Sequence, residues 1–384
     1  MARDSMPMTR RAFLGGSAAL WTSAFGATAH AQPRRGGGRA KAGASAPGGH
    51  WQADTDRIVQ TMMEQDDVPG VAIGIVRDGA VVYKKGYGHK RVPGGAAPDE
   101  NTVFYIGSLS KALTAVGAML LVQNGSLDLD APASTYIADL PRKWRKITVK
   151  QFMSHTSGIP EIARKEKNAQ ASIDDVYRLM ADDPLQSEPG TQEHYNNFNY
   201  AVTGHLIEVI SKAKYIDYMT RQVFKPLGMD HTGIGAIGPE NHAIGYLQGK
   251  GKKGMTEAEP DVVPFGIPSG GLETNLVDLL KLEASLRTHT LLKPRFFKMM
   301  IAPVPGCNAT PGWFTRTAGG VTVVSKNGAS GGFSSFLAFS PERRDAIVML
   351  RNVQGKGIGI QGPSNAILES CCRIPKHGAA GEGE

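Results

Sequence analysis

Gly107-Ser108-Leu109-Ser110-Lys111 runs into Ala112-Leu113-Thr114-Ala115-Val116-Gly117-Ala118-Met119-Leu120-Leu121-Val122, and the fold is decided by how this stretch is read. From Ala112 onward it is apolar nearly all round, the pattern of a helix buried on every side. Asn124-Gly125 ends it with a left-handed cap. Ser108 stands at its mouth, and Lys111, three residues on, shares its face. A lysine in a buried helix is costly unless it has a partner or a task. A serine beside it can be a nucleophile whose proton the lysine helps remove. The same serine can also be an ordinary helix N-cap. A second Ser-x-x-Lys, Ser211-Lys212-Ala213-Lys214, lies in a polar stretch, so the tetrapeptide alone decides nothing.

Outward from this helix, Gln52–Glu64 reads as a first helix. Val71–Arg77 and Ala80–Lys84 read as a hairpin turned by Asp78-Gly79. Residues 127–241 turn helical and loop-rich, with Thr148–Met153 and Tyr200–Ile210 as helices, and Leu276–Thr288 is another helix. Strands resume at Val321–Val324, Ser334–Phe339 and Asp345–Leu350, the last two joined through Pro341–Arg344. Ser364–Arg373 reads as a closing helix. Strands at both ends with helices between them predict an α+β fold. It has one antiparallel sheet built from both termini, flanked by helices, with a mainly helical domain inserted at 127–241.

The 384 residues are 41% hydrophobic and 20% charged, an ordinary globular composition that can bury a large core. Of the net +8, the first 31 residues carry +2 and residues 33–50 carry +4, so the basic character argues for no nucleic-acid partner. Thr9-Arg10-Arg11-Ala12-Phe13-Leu14 resembles a twin-arginine export motif. A short apolar run to Phe25 and the small-x-small Ala29-His30-Ala31 follow. The expected organisation is a signal peptide over 1–31, a flexible linker over 32–50, a catalytic domain over 51–376 and a disordered tail over 377–384. The product would be periplasmic or secreted, with no stable membrane anchor after cleavage. Cys307 can pair with Cys371 or Cys372, or all three can stay free thiols. His155, His194 and His205 show no metal-ligand spacing, so neither metal nor cofactor is expected. Nothing in the sequence fixes an oligomeric state.

Two further elements carry chemistry. Tyr195-Asn196-Asn197 follows Pro189-Gly190-Thr191 in a loop before a helix, where a side chain can point into a cleft or an Asn can simply cap. Lys326-Asn327-Gly328 follows the strand Val321–Val324. Gly328-Ala329-Ser330-Gly331-Gly332 matches the nucleophile elbow Gly-x-Ser-x-Gly, but a strand follows where that motif needs a helix.

In this order the three elements resemble the serine β-lactamase and penicillin-binding protein superfamily, most of all its class C and DD-carboxypeptidase-like branch. Val68-Pro69-Gly70-Val71, Ser154-His155-Thr156-Ser157-Gly158, Phe224-Lys225-Pro226-Leu227-Gly228-Met229 and Ser269-Gly270-Gly271-Leu272 also look like family segments, and the resemblance covers about residues 52–375. It implies a β-lactamase/transpeptidase-like fold with Ser108 as the acylated nucleophile and Lys111 as its proton partner. Tyr195 would be base or proton relay, a role that asks nearby lysines to poise its phenol. Asn197 would hold Lys111 and the substrate amide, and Lys326 with Gly328 would bind substrate, the lysine through a carboxylate. The backbone N–H groups of Ser108 and Ala329 would form the oxyanion hole. Two departures stand out. Asn327 replaces a common Thr, and Glu161-Ile162 occupies the region where class C enzymes place an amide-binding Gln, which argues against efficient β-lactam hydrolysis. The expected activity is a serine acyl-hydrolase acting on a β-lactam or D-Ala-D-Ala-type amide. A carboxylesterase and a non-turnover penicillin- or peptidoglycan-binding protein are the alternatives.

Overall fold

The computed structural model describes residues 50–161, 172–235, 241–249, 254–260, 262–304, 309–355, 359–372 and 374. The leader, nearly all of the linker, the tail, Ile162 and Cys307 lie outside them.

Strand β1 (Gly70–Arg77) and β2 (Ala80–Gly88) form the expected hairpin. The late strands β3 (Phe314–Ala318), β4 (Val321–Ser330), β5 (Phe333–Ser340) and β6 (Asp345–Arg351) form a meander. The two groups join where β1 pairs antiparallel with β6, Val71 opposite Arg351 and Val76 opposite Ala346. The result is one six-stranded sheet in the order β2-β1-β6-β5-β4-β3. Strand side chains alternate between faces. Val71, Ile73, Ile75, Phe336, Ala338, Ile347 and Met349 face helices α1 (Trp51–Gln65) and α5 (Gln361–Cys372). Ala72, Val76, Leu337, Phe339, Ala346, Val348 and Leu350 face the other way, into the larger core. Both faces are covered, which is why β1, β5 and β6 read as continuous apolar runs.

The larger core also takes side chains of α2 (Ser110–Gln123), α3 (Asn197–Ser211) and α4 (Leu276–Thr288). The helical region and the sheet therefore share one continuous core. Helix α2 is buried from Ser110 to Met119 without a break, as its sequence requires. It ends at Asn124, with Gly125 left-handed at φ +80°. The sulfur atoms of Cys371 and Cys372 adjoin in α5, both buried.

Strand β4 is longer than its apolar residues suggest. It continues to Ser330 because Lys326 and Gly328 point inward on the alternation while Asn327 and Ala329 point out. Lys326-Asn327-Gly328 therefore lies within a strand, paired with Leu337, Phe336 and Ser335, and not after it.

Candidate active site

Ser108 sits in a 3-10 turn, Gly107–Leu109, just ahead of α2, and no side chain caps that helix. Gly107 takes φ +50°, a left-handed conformation open to glycine. The turn lies hard against β4. A Cβ on Gly107 would stand 2.9 Å from the Ala329 nitrogen, and one on Gly328 would stand 2.0 Å from the Ile106 carbonyl oxygen and 2.7 Å from the Leu109 nitrogen. Two glycines thus let the backbone of Ser108 and the backbone of Ala329 come together, the two positions assigned to the oxyanion hole.

Lys111, the second residue of α2, is fully buried. Its Nζ lies 2.8 Å from Asn197 Oδ1, 2.5 Å from the Ser269 carbonyl oxygen and 3.2 Å from Ser108 Oγ. Burial, helped by the charge of Lys326, holds the amine well below its ordinary range. A neutral amine has two hydrogens and one lone pair. In that form Asn197 and Ser269 accept its two hydrogens and the lone pair turns to Ser108; protonated, the amine donates to Ser108 Oγ as well. In α3, Asn196 is the N-cap, its Oδ1 accepting from the Phe198 N–H, so Asn197 is free to turn its side chain to Lys111.

Tyr195 reaches Ser108 from the loop before α3, and its hydroxyl donates to Ser108 Oγ at 2.7 Å. The residue keeps 43% of its surface exposed. The lysines do not poise the phenol for ionisation as its expected role asked. Withdrawal from water pushes it up to about 12, the Glu161 carboxylate adds to the rise, and only the Ser108 hydrogen bond opposes them. Lys326, 2% exposed, lies with Nζ 5.4 Å from the Tyr195 ring centre and 4.4 Å from that of Phe314. Burial lowers it to about 8.

His155 belongs to this cluster, although its sequence shows no ligand or triad spacing. Its ring stacks on Tyr195 with centroids 4.5 Å apart and on Tyr200 at 5.4 Å. Nδ1 accepts the Asn196 N–H at 3.2 Å, directly after Tyr195 in the chain. Burial and the charges of Lys326 and Lys111 hold it well below the ordinary histidine range, so the ring is neutral with its proton on Nε2. It pins Tyr195 from below. Its signal in sequence is the Ser154–Gly158 segment. Ser269 lies in the Ser269–Leu272 segment, but its contact with Lys111 is through a backbone carbonyl, which side-chain chemistry does not signal. The second Ser-x-x-Lys, at the end of α3, takes no part: Lys212 is only the left-handed C-cap.

These groups open on a cleft of about 340 Å³ lined by Ser108, Asn197, Glu161, Phe198, Val262 and Phe265, among others.

A serine, a buried lysine, a tyrosine and a strand lysine gathered beside an antiparallel sheet define the class. The chain belongs to the Beta-lactamase family, whose family model matches residues 55–362. Among curated proteins it is similar to Protein flp of Staphylococcus aureus (strain N315), 29% identical over 323 residues. That match takes 79% of this chain and 64% of the relative, so the chain spans less than two-thirds of that protein's length. Among solved structures it resembles the octameric penicillin-binding protein homologue from Pyrococcus abyssi, with a TM-score of 0.72 and 23% identity over 83% of this chain and 76% of that one. It also resembles the D-amino acid amidase from Ochrobactrum anthropi SV3, with a TM-score of 0.70 and 22% identity over 83% and 98%. Both likenesses are of fold.

Proposed function

We propose that the chain is a serine acyl-hydrolase that cleaves a D-Ala-D-Ala-type amide or a β-lactam through an acyl-enzyme on Ser108. The observation that carries this reading is the hydrogen-bond chain Tyr195–Ser108–Lys111, in which both other contacts of the lysine are acceptors. Ser108 Oγ attacks the carbonyl carbon and its proton passes to the Lys111 lone pair. The carbonyl oxygen, now negative, is held by the Ser108 and Ala329 N–H groups. Tyr195, a neutral phenol, donates its proton to the leaving nitrogen and regains one from the Lys111 side, so the C–N bond breaks without releasing an amide anion. Water then attacks the ester, gives its proton to the same pair of groups, and Ser108 leaves reprotonated. Lys326 meets a carboxylate on the leaving half, which β-lactams and D-Ala-D-Ala termini both carry and simple esters lack. The Ochrobactrum relative is named an amidase, which supports amide cleavage as chemistry this fold hosts.

Export belongs to the same reading: cleavage after Ala31 and release into the periplasm or medium on the 32–50 tether. An exported chain that begins anywhere other than Gln32 would contradict it, and mass spectrometry of the amino-terminal peptide reads this directly. The reaction is tested with a panel of a chromogenic lactam, a D-Ala-D-Ala peptide and a p-nitrophenyl ester. Ser108→Ala is expected to lower turnover of every accepted substrate by about 10³-fold or more. Near-wild-type rates in that variant would overturn the mechanism.

A further inference from the structure

We propose that Glu161 reads the acyl half of the substrate by accepting hydrogen bonds from a free, protonated α-amino group. The substrate class is then a short peptide or amino-acid amide whose acyl residue carries an unblocked amine and an apolar side chain. This rests on the acyl-enzyme reading of Ser108 and goes beyond it.

Glu161 is exposed on the same cleft as Ser108 and Asn197. Among the described residues that line this cleft it is the one carboxylate. Its carboxylate has no hydrogen-bond or ion-pair partner among them. Its charge reaches the reacting groups, since it raises both Lys111 and Tyr195. The same cleft carries an apolar set on its lining: Phe198, Ala201, Val262, Val263 and Phe265.

An ionised carboxylate accepts hydrogen bonds and donates none. It has nothing to offer the carbonyl oxygen of an acylamino side chain, and its charge repels that oxygen. An α-amino group, with a pKa of about 8, is cationic at neutral pH and supplies three donors. The acid on this wall therefore discriminates in both directions, towards free amines and against blocked ones. The apolar residues of the lining take the side chain on the same carbon. With a carboxylate on the leaving half for Lys326, the smallest molecule that answers every group is a dipeptide.

The test compares Leu-Ala with N-acetyl-Leu-Ala, each in DD and LL form, by chromatography of the alanine released. The full-length mature protein and Glu161→Gln are assayed side by side, with a melting curve to establish that the variant is folded. In the configuration cleaved faster, the free dipeptide is expected to exceed its acetylated form in kcat/KM by about fivefold or more, the range open to an ion pair at a partly solvated rim. Glu161→Gln should erase or reverse that ratio, because the free peptide loses its acceptor and the Gln amide gains a donor for the acetyl carbonyl. Equal use of both peptides by the wild type, or an equal loss on both in the variant, overturns the proposal. So does failure to cleave either peptide while a fluorophosphonate labels Ser108, an outcome that leaves the serine-hydrolase reading standing. No label on folded protein takes down that parent reading and the proposal with it.

Discussion

Two lysines are buried close to Ser108, and burial makes the charge of each costly to keep. Burial lowers both; the charge of Lys326 lowers Lys111 further, while Glu193 partly offsets the fall of Lys326. Catalysis that uses Lys111 as a base strengthens as pH rises and its amine is freed. Lys326, near 8, works in the opposite sense: it binds a carboxylate while protonated and lets it go above that pH. The KM for a carboxylate-bearing substrate is therefore expected to climb as pH passes about 8, while that of a neutral ester stays flat. A pH series of KM for the two substrates checks this, and parallel curves would refute the anion-binding role. Lys326→Met removes the distinction between substrates and has a second consequence. The folded pKa of this lysine lies below its ordinary 10.5, so between the two values the unfolded chain holds more protons and stability rises with pH. Below about 8 its burial is a full cost. At pH 7 the methionine variant is expected to gain about 1–3 kcal/mol of unfolding free energy, read by urea denaturation, while losing activity.

At the scale of elements, the active site is a contact between the turn Gly107–Leu109 and strand β4. Gly328→Ala sets a methyl 2.0 Å from the Ile106 oxygen, and backbone on both sides leaves nowhere for it to go but apart. The variant is expected to lose about 10²-fold in kcat, as two oxyanion donors separate, with a smaller change in KM. It should also lose about 1–3 kcal/mol in stability. Steady-state kinetics and a melting curve distinguish this from simple unfolding. The elements themselves were readable wherever local pattern governs. Helix α2, the β1–β2 hairpin and α4 follow from apolar periodicity and turn residues, and their bounds hold to within a few residues. The end of β4 was not readable, because Lys326 looks like the end of an apolar run when it is an inward position of the same alternation. Ser108 does not cap α2, and the partner its hydroxyl meets instead, Tyr195, is distant in sequence. The raised phenol of Tyr195 is not legible in sequence for a related reason: neighbouring cations can be read from motifs, but the extent of its burial cannot.

Across the whole molecule, an early strand and a late strand meet in the middle of the sheet. Arg351, at the end of β6, donates from Nη1 to Asp66 Oδ2 at 2.8 Å, with both side chains buried, and the Gly359 N–H adds a third group at 3.1 Å. This pair fastens the loop before β1 to the last strand. Asp66→Ala strands a guanidinium in the core and is expected to cost about 3–5 kcal/mol, measured by denaturant titration. An unchanged midpoint would mean that water or another acid reaches Arg351. The meeting of β1 with β6 also sets when the candidate site can be assembled during synthesis. Ser108 and Lys111 leave the ribosome early. The strand that completes their surroundings comes more than two hundred residues later, and β1 gains its central neighbour only once residue 351 has been made. A stalled or truncated nascent chain carries Ser108 and Lys111 without the strand that packs against them. The order of translation therefore withholds the assembled cleft until nearly the whole chain has been made.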